Sequence, residues 1–210
     1  MLIRLSGKNI LLLCFQLLFL SSCNGNIAVE ITSSPDSSEV KTLSPEALSY
    51  CKKNNFNTEF YFLIDMRIHS GKNRFMIFSF SHDSVIHKAL VTHGCGNNGW
   101  IGDDTRITPQ FSNTCESHCS SLGKYKVADR GYSQWGIHIK YLLYGLDSSN
   151  SNALKRTIVL HSWEAVTDEE IYPKGSAESW GCPAVSNNFM LKLDDLLKSS
   201  EKPVLLWIIN

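Results

Sequence analysis

The sequence has no excess of charge of either sign and no long apolar run. Its 210 residues carry 20 basic and 20 acidic side chains, whereas nucleic-acid-binding proteins normally show a basic excess or a basic stripe. No uninterrupted apolar segment reaches the ~20 residues that a membrane-spanning helix needs, which excludes a polytopic membrane protein. Charged residues make up only 19% of the chain and hydrophobic residues 43%. This balance excludes a disordered chain and predicts one domain with a core of its own.

The N-terminal residues have the features of a secretory signal. Arg4 and Lys8 form a short positive region, and the apolar stretch 10–20 that follows is broken only by Gln16. About ten apolar residues are too few to cross a bilayer stably. We therefore predict a signal peptide over residues 1–22, which is not part of the folded domain.

The signal ends in a short motif that resembles the lipobox of bacterial lipoproteins. The motif reads Leu20-Ser21-Ser22-Cys23, and in that family the cysteine is lipidated and becomes the new N-terminus. The resemblance implies a domain in the cell envelope, held to the periplasmic side of a membrane by a lipid anchor at Cys23. The alternative is an ordinary cleaved signal in which this cysteine is incidental. Removal of the signal leaves 18 basic and 20 acidic side chains, a net charge of −2.

Residues 23–43 are predicted to form the lipidated cysteine and a flexible tether, and residues 44–210 the folded domain. The segment 33–38 is a polar run that contains a proline and no periodicity, which is typical of spacers. A first helix is predicted from Ser44 to Lys53, because Ser44 can cap its N-terminus and Pro45 suits its first turn.

Strands dominate the rest of the predicted domain. Alternating or continuous apolar runs predict strands over 60–66, 74–80, 85–91, 136–144, 157–161 and 203–209. Apolar residues at helical spacing predict one late helix over 188–197. The sequence therefore predicts a mostly-β domain with one or two helices.

Five cysteines fall in the predicted domain, an odd number for an exported protein. They are Cys51, Cys95, Cys115, Cys119 and Cys182. In an oxidising compartment we expect disulfides among Cys95, Cys115 and Cys119, with Cys182 as the unpaired thiol. A metal site built from the segment 115–119 with Cys95 or His93 is the weaker alternative, since Cys-x2-His-Cys is not a standard zinc spacing.

Cys182 lies in a segment suited to a reactive thiol, which reads Ser179-Trp180-Gly181-Cys182-Pro183-Ala184. Small residues and a proline predict a tight loop there. His161 ends the apolar strand 157–161, and a strand end can hold a base rigidly. An imidazole near the thiol favours the thiolate, which is the nucleophile in cysteine catalysis. The alternative is a core pair without a chemical role. Histidine precedes cysteine here, unlike in papain-like peptidases.

These segments resemble the signature of the YkuD-type L,D-transpeptidases, and the resemblance extends over about residues 59 to 209. His161-Ser162 followed by Ser179-x-Gly181-Cys182 matches the family motif in order. Further matching elements are Asp65, Arg74, His93-Gly94, Phe111-Ser112-Asn113, Ser120-Ser121-Leu122-Gly123, Gly145-Leu146-Asp147 and the strand from Arg156 to His161. More specifically, the chain resembles the exported murein L,D-transpeptidase branch.

The resemblance implies a β-sandwich-like domain with a mixed sheet and peripheral helices, acting on peptidoglycan stem peptides without metal or cofactor. It implies Cys182 as nucleophile, His161 as base, Ser162 as the residue that orients the base, and the amides of Gly181 and Cys182 as oxyanion donors. We expect substrate contacts from His93, Gly94, Asn113, Ser120, Ser121, Ser179 and Trp180. The acyl-enzyme would pass to an amine or, in L,D-carboxypeptidation, to water. We expect a monomer.

Two positions depart from the family pattern. Trp180 stands where the wider family has a second histidine, and Pro183-Ala184 stand where many relatives carry an aliphatic residue and then Arg or Asn. The missing histidine supports one alternative function, a non-catalytic cell-wall-binding envelope lipoprotein that has kept the fold. A sortase-like enzyme is excluded, because it needs an arginine after its cysteine and none follows Cys182.

Overall fold

The computed structural model describes residues 37–97 and 108–210, which belong to one compact unit, Thr32–Asn210. The predicted signal peptide, Cys23 and most of the predicted tether lie outside the described residues. The described elements are α1 Ser37–Asn54, β1 Phe60–Asp65, β2 Phe75–Ser79, β3 Ser84–Ala89, β4 Gly123–Tyr132, β5 Ile139–Gly145, a 3₁₀ helix Ser148–Asn150, β6 Val159–Ser162, β7 Ala184–Val185, α2 Asn187–Ser199 and β8 Val204–Ile209. None of the described helices has the length and apolarity that a membrane span requires.

The eight described strands form one mixed sheet. Their order across the sheet is β3-β2-β1-β8-β4-β5-β6-β7. The pairs β1–β8 and β6–β7 are parallel and the other pairs are antiparallel. This architecture confirms the predicted mostly-β fold with a mixed sheet and peripheral helices.

The sheet encloses one main hydrophobic core. Side chains from all eight strands and from α2 belong to this core, among them Phe62, Tyr141, Leu160 and Phe189. The sheet therefore curves so that strands far apart in its order face the same interior. A second cluster lies between α1 and the opposite face of the central strands, where Tyr61 is fully buried. Since both faces of β1 are covered, its sequence is an almost continuous apolar run.

Helix α1 begins earlier than the sequence predicts. It starts at Ser37 rather than Ser44, so Pro45 lies inside the helix and not in its first turn. Leu43, in the part that the prediction assigned to the tether, packs against the second core cluster. Contact of Leu43 with the core favours a helix that begins before Ser44. The predicted start at Ser44 relied only on the ability of this residue to cap a helix.

Strands β4 and β7 were not predicted. In β4, charged side chains at Lys124, Lys126, Asp129 and Arg130 interrupt the apolar pattern. The strand is nonetheless ordered by pairing with β8 on one side and with β5 on the other. β7 has only two residues, too few to show a period in sequence.

Candidate active site

Strands β6 and β7 place the predicted nucleophile beside its predicted base. His161 lies opposite Ala184 in this parallel pair, and Cys182 precedes Ala184 by two residues in the loop that enters β7. His161 and Cys182 line the same cavity of about 260 Å³. The structure therefore brings together two residues that the chain supplies from separate segments.

The backbone holds the imidazole of His161 in one orientation. Its Nδ1 lies 2.9 Å from the carbonyl oxygen of Ser162. Because a carbonyl only accepts, Nδ1 carries the proton in this hydrogen bond and Nε2 is the basic nitrogen. Burial lowers the pKa of His161, the Ser162 carbonyl opposes that effect, and the charge of Lys140 lowers it further. The histidine is therefore neutral near pH 7 and able to accept a proton.

Ser162 also fixes the β4–β5 turn that borders the cavity. Its Oγ accepts a hydrogen bond from the amide of Ile137 at 3.0 Å. The neighbouring Gly136 has a φ of 58°, and a Cβ at this position would lie 2.0 Å from Ser162 Oγ. Close approach of the turn to β6 therefore requires glycine. The carbonyl of Ser162 thus contacts the imidazole, while its hydroxyl holds the turn that carries Trp135.

The thiol of Cys182 is protonated at neutral pH and is held by strand backbone. Its Sγ accepts from the amide of Val159 at 3.5 Å and donates to the carbonyl of Thr157 at 3.7 Å. Burial raises the pKa of the Cys182 thiol, and the Val159 amide and the charges of Arg156 and Lys140 offset part of this rise. The resting pair is therefore a thiol and a neutral imidazole. If this thiol served as a nucleophile, proton transfer would have to accompany its attack, after the thiol turned from Thr157.

The loop that carries Cys182 is organised around the hydroxyl of Ser179. Ser179 Oγ lies 2.6 Å from the carbonyl oxygen of Cys182 and accepts from the amide of Gly181 at 3.1 Å. Gly181 has a φ of 101°, and a Cβ there would lie 2.5 Å from the carbonyl oxygen of Cys119. The Gly181 amide, one of the two predicted oxyanion donors, is thus engaged within the loop. The Cys182 amide has no hydrogen-bond partner among the described residues.

His93 does not reach the cavity, contrary to the expected substrate contact. Its side chain is fully buried, with Nδ1 2.8 Å from Arg74 Nη2 and Nε2 3.6 Å from Glu178 Oε1. Its carbonyl accepts from the amide of Ser179 at 2.8 Å. The buried group Arg74, His93 and Glu178 therefore supports the loop that carries Cys182.

Four other predicted substrate contacts are also engaged within the protein. The Gly94 amide donates to Ser120 Oγ at 3.1 Å, and Ser120 Oγ donates to the carbonyl of Gly181 at 3.3 Å. Ser121 Oγ accepts from Arg156 Nη1 at 2.6 Å. Asn113 Nδ2 donates to the carbonyl of Ser148 and to Ser151 Oγ, each at 3.0 Å. None of Gly94, Asn113, Ser120 and Ser121 lines the cavity, so these residues shape the loops around the site.

Three tryptophans form most of the cavity wall. Trp180 is 60% exposed and stacks on His118, with ring centroids 4.8 Å apart. Trp135 and Trp163 meet edge to face at 5.8 Å. The sequence prediction selected Trp180 and Ser179 for this wall but missed Trp135 and Trp163. Trp163 directly follows the His161-Ser162 pair, and that adjacency was the signal available in the sequence.

The remaining cysteines form neither of the expected structures. All five cysteines of the described residues are free thiols, so the disulfides expected among Cys95, Cys115 and Cys119 are absent. Within residues 37–97 and 108–210, no group of three or more His, Cys, Asp or Glu side chains is placed to hold a metal ion. The metal alternative at 115–119 therefore has no support in the fold.

Comparison with known families identifies one match that covers most of the chain. Residues 36–206 match the family described as the L,D-transpeptidase catalytic domain. No curated relative matches the chain. The match to this family confirms the resemblance drawn from the motifs.

Three solved structures illustrate the likeness. Bd1075 of Bdellovibrio bacteriovorus is 19% identical, with a TM-score of 0.42, over 74% of this chain and 49% of that one. An L,D-transpeptidase of Xylanimonas cellulosilytica is 10% identical, with a TM-score of 0.39, over 76% and 68%. The helical cell shape determining protein Pgp2 of Campylobacter jejuni is 12% identical, with a TM-score of 0.42, over 80% and 55%. This chain therefore spans about half the length of the Bdellovibrio protein.

Proposed function

Because the chain belongs to the L,D-transpeptidase catalytic domain family, we propose that it is a cysteine acyltransferase acting on peptidoglycan stem peptides. The observation that carries the proposal is the cavity that Cys182 and His161 share at the start of β7. A thiol and a neutral imidazole on one cavity wall are the two groups that acyl transfer through a thioester needs.

Acylation would begin with attack of Cys182 Sγ on the carbonyl carbon of the third stem residue. His161 Nε2 takes the thiol proton as the S–C bond forms, which avoids a free thiolate in this buried setting. The oxyanion accepts a hydrogen bond from the Cys182 amide. His161 then returns the proton to the leaving nitrogen, the C–N bond breaks, and the terminal D-alanine leaves with a thioester on Cys182 in its place.

Deacylation would use the same groups in reverse. An amine of a neighbouring stem, or water, gives up a proton to His161 Nε2 and attacks the thioester carbonyl. The C–S bond breaks and the proton passes to Sγ, which restores the thiol. An amine acceptor gives a cross-link, and water gives L,D-carboxypeptidation.

Incubation of the soluble domain with disaccharide tetrapeptide tests the proposal. We expect mass spectrometry to show loss of the terminal D-alanine and either a cross-linked dimer or a tripeptide. A wild-type domain that is folded and gives neither product nor a mass adduct on Cys182 would contradict the enzyme proposal. The alternative that Trp180 raised, a non-catalytic cell-wall-binding protein, would then take its place.

We further propose that the mature protein is lipid-anchored at Cys23 in the cell envelope, on the periplasmic side of a membrane. The proposal rests on the motif Leu20-Ser21-Ser22-Cys23, since acylation of a terminal cysteine with more than one chain gives stable anchoring. Metabolic labelling with a fatty acid should mark the wild-type protein, and Cys23→Ala should abolish the label. Labelling that persists in this variant would refute the anchor.

A further inference from the structure

The amide of Cys182 belongs to a peptide unit whose carbonyl is held by a separate loop. This unit, the nucleophile peptide, joins Gly181 to Cys182. Its N–H has no hydrogen-bond partner among the described residues, and its carbonyl, that of Gly181, accepts a hydrogen bond from Ser120 Oγ at 3.3 Å. Because the N–H and C=O of one peptide unit lie in one plane and point in opposite directions, the bond to the carbonyl also directs the N–H.

Ser120 is the middle member of a chain of hydrogen bonds that ends at the nucleophile peptide. The amide of Ser179 donates to the carbonyl of His93 at 2.8 Å, and the next amide, that of Gly94, donates to Ser120 Oγ at 3.1 Å. A serine hydroxyl can accept and donate at the same time. Every bond in the chain therefore runs in the same donor-to-acceptor direction, and its last donor is the N–H of Cys182. Hydrogen bonds arranged in this way polarise one another, which makes the terminal N–H a stronger donor.

The backbone of Ser120 is held in place without help from the hydroxyl. Its carbonyl accepts a hydrogen bond from the amide of Ser112 at 3.0 Å, and the residue forms a β-bridge with Phe111. Only 1% of Ser120 is exposed, so its hydroxyl cannot reach a substrate directly. Any effect of this hydroxyl on the reaction must therefore pass through the peptide groups that it contacts.

We infer that Ser120 is a positioning residue for the oxyanion: its hydroxyl orients and polarises the nucleophile peptide, so that the N–H of Cys182 can bind the negative oxygen that forms when a carbonyl is attacked. Preorganised donors of this kind stabilise the tetrahedral intermediate and not the thiol itself. This inference rests on the proposed function, since only acyl transfer creates such an oxygen at Cys182.

Two reagents that modify Cys182 separate this role from a general effect on the thiol. With p-nitrophenyl acetate the S–C bond forms through a tetrahedral oxyanion, the thiol proton passes to His161, and p-nitrophenolate leaves as the C–O bond breaks. Iodoacetamide alkylates the same sulfur by displacement of iodide, with no oxyanion. Both rates are measured on the full-length protein at one pH, by mass spectrometry of the peptide that contains Cys182.

Ser120→Ala is expected to lower the rate of acylation by about 3- to 10-fold and to leave the rate of alkylation within about twofold. Alanine removes the donor to the Gly181 carbonyl but keeps the backbone contacts of the loop. Ser120→Cys offers a weaker donor at the same position, so its ratio of acylation to alkylation should lie between those of wild type and the alanine variant. With disaccharide tetrapeptide, Ser120→Ala should lower kcat by a similar factor and leave KM within about twofold.

Ser79→Ala is the matched control. Ser79 is a buried serine on β2, outside the chain of hydrogen bonds, and its hydroxyl contacts Ser81 and His82. Its loss should change neither rate by more than about twofold.

Equal losses of acylation and alkylation in Ser120→Ala, or an unchanged ratio in the Ser120 variants, overturn the inference while the enzyme function stands. If alanine unfolds the protein, the ratio in Ser120→Cys alone decides. If wild type is acylated by the ester but never converts the tetrapeptide, the proposed substrate is wrong and the ratio still decides the role of Ser120. A wild-type thiol that is alkylated but never acylated refutes the proposed function and this inference together.

Discussion

Replacing Cys182 with serine is expected to abolish the acyl-enzyme and to lower product formation from stem tetrapeptide by about 10³-fold or more. A serine hydroxyl is far less acidic than a thiol. The base that would have to activate this hydroxyl is His161, which is buried. Its Nδ1–H donates a hydrogen bond to the neutral carbonyl of Ser162 rather than to a carboxylate. The imidazolium would therefore gain little stabilisation. Intact-protein mass and chromatographic product assays measure the two effects.

Cys115→Ser is the matched control for this substitution. Cys115 is a free, half-buried thiol outside the cavity lining, so its loss should leave turnover within about twofold. Thermal unfolding of both variants should match wild type, which separates loss of chemistry from loss of fold. A substrate adduct that persists in Cys182→Ser, or that disappears in Cys115→Ser, would place the nucleophile elsewhere.

Arg74→Met is expected to lower the free energy of unfolding by about 3–5 kcal/mol, because it breaks a buried charged cluster. Arg74 is fully buried, and its Nε and Nη2 donate to the carbonyl of Val91 at 3.1 and 2.8 Å. Burial lowers its pKa to about 9, against the opposing effect of Asp65, and the group stays protonated at neutral pH. Methionine has similar length but leaves the carbonyl of Val91 and the Nδ1 of His93 without their donors. Urea unfolding of the soluble domain measures the change.

Lys88→Met tests whether removing any positively charged side chain from a strand lowers the free energy of unfolding. Lys88 lies exposed on β3 next to Ala89, whose carbonyl accepts from the Arg74 amide. The substitution should change the free energy of unfolding by less than about 0.5 kcal/mol. A comparable loss in both variants, or a loss below about 1 kcal/mol in Arg74→Met, would contradict the role assigned to the buried cluster.

The strands that the sequence predicts are those in which the local pattern of apolar side chains is enough to identify a strand. β1, β2 and β8 are apolar runs buried on both faces, so hydrophobicity alone marks them. β4 was missed because only two of its ten residues, Tyr125 and Val127, are buried, and because one of the two strands that order it, β8, is distant in sequence. The start of α1 was misplaced for the same reason, since contact of Leu43 with the core outweighs the cap at Ser44.

The site was predictable where motif and chemistry coincide. The motif fixes the order of His161 and Cys182, and the β6–β7 register then brings them to one cavity. His93 was misassigned because a histidine beside glycine in a loop is consistent with either cleft or core. The burial of His93 depends on its contacts with Arg74 and Glu178, which come from other segments of the chain. The engagement of the Gly181 amide by Ser179 likewise depends on loop geometry that no residue pattern reveals.

Strand β8 has a consequence for the order in which the chain can assemble. In the described sheet it alone connects β1–β3 to β4–β7, through a parallel pair with β1 and an antiparallel pair with β4. Phe62 pairs with Leu206, 144 positions later, so this contact closes a long loop, and non-local pairings of this kind slow folding. When the chain is synthesised from its N-terminus, β1 and β4 are made before β8. Each of them then has an unpaired edge until β8 is available to pair with it. That interval is when the chain is most prone to pair with another copy, and chaperone protection matters most there.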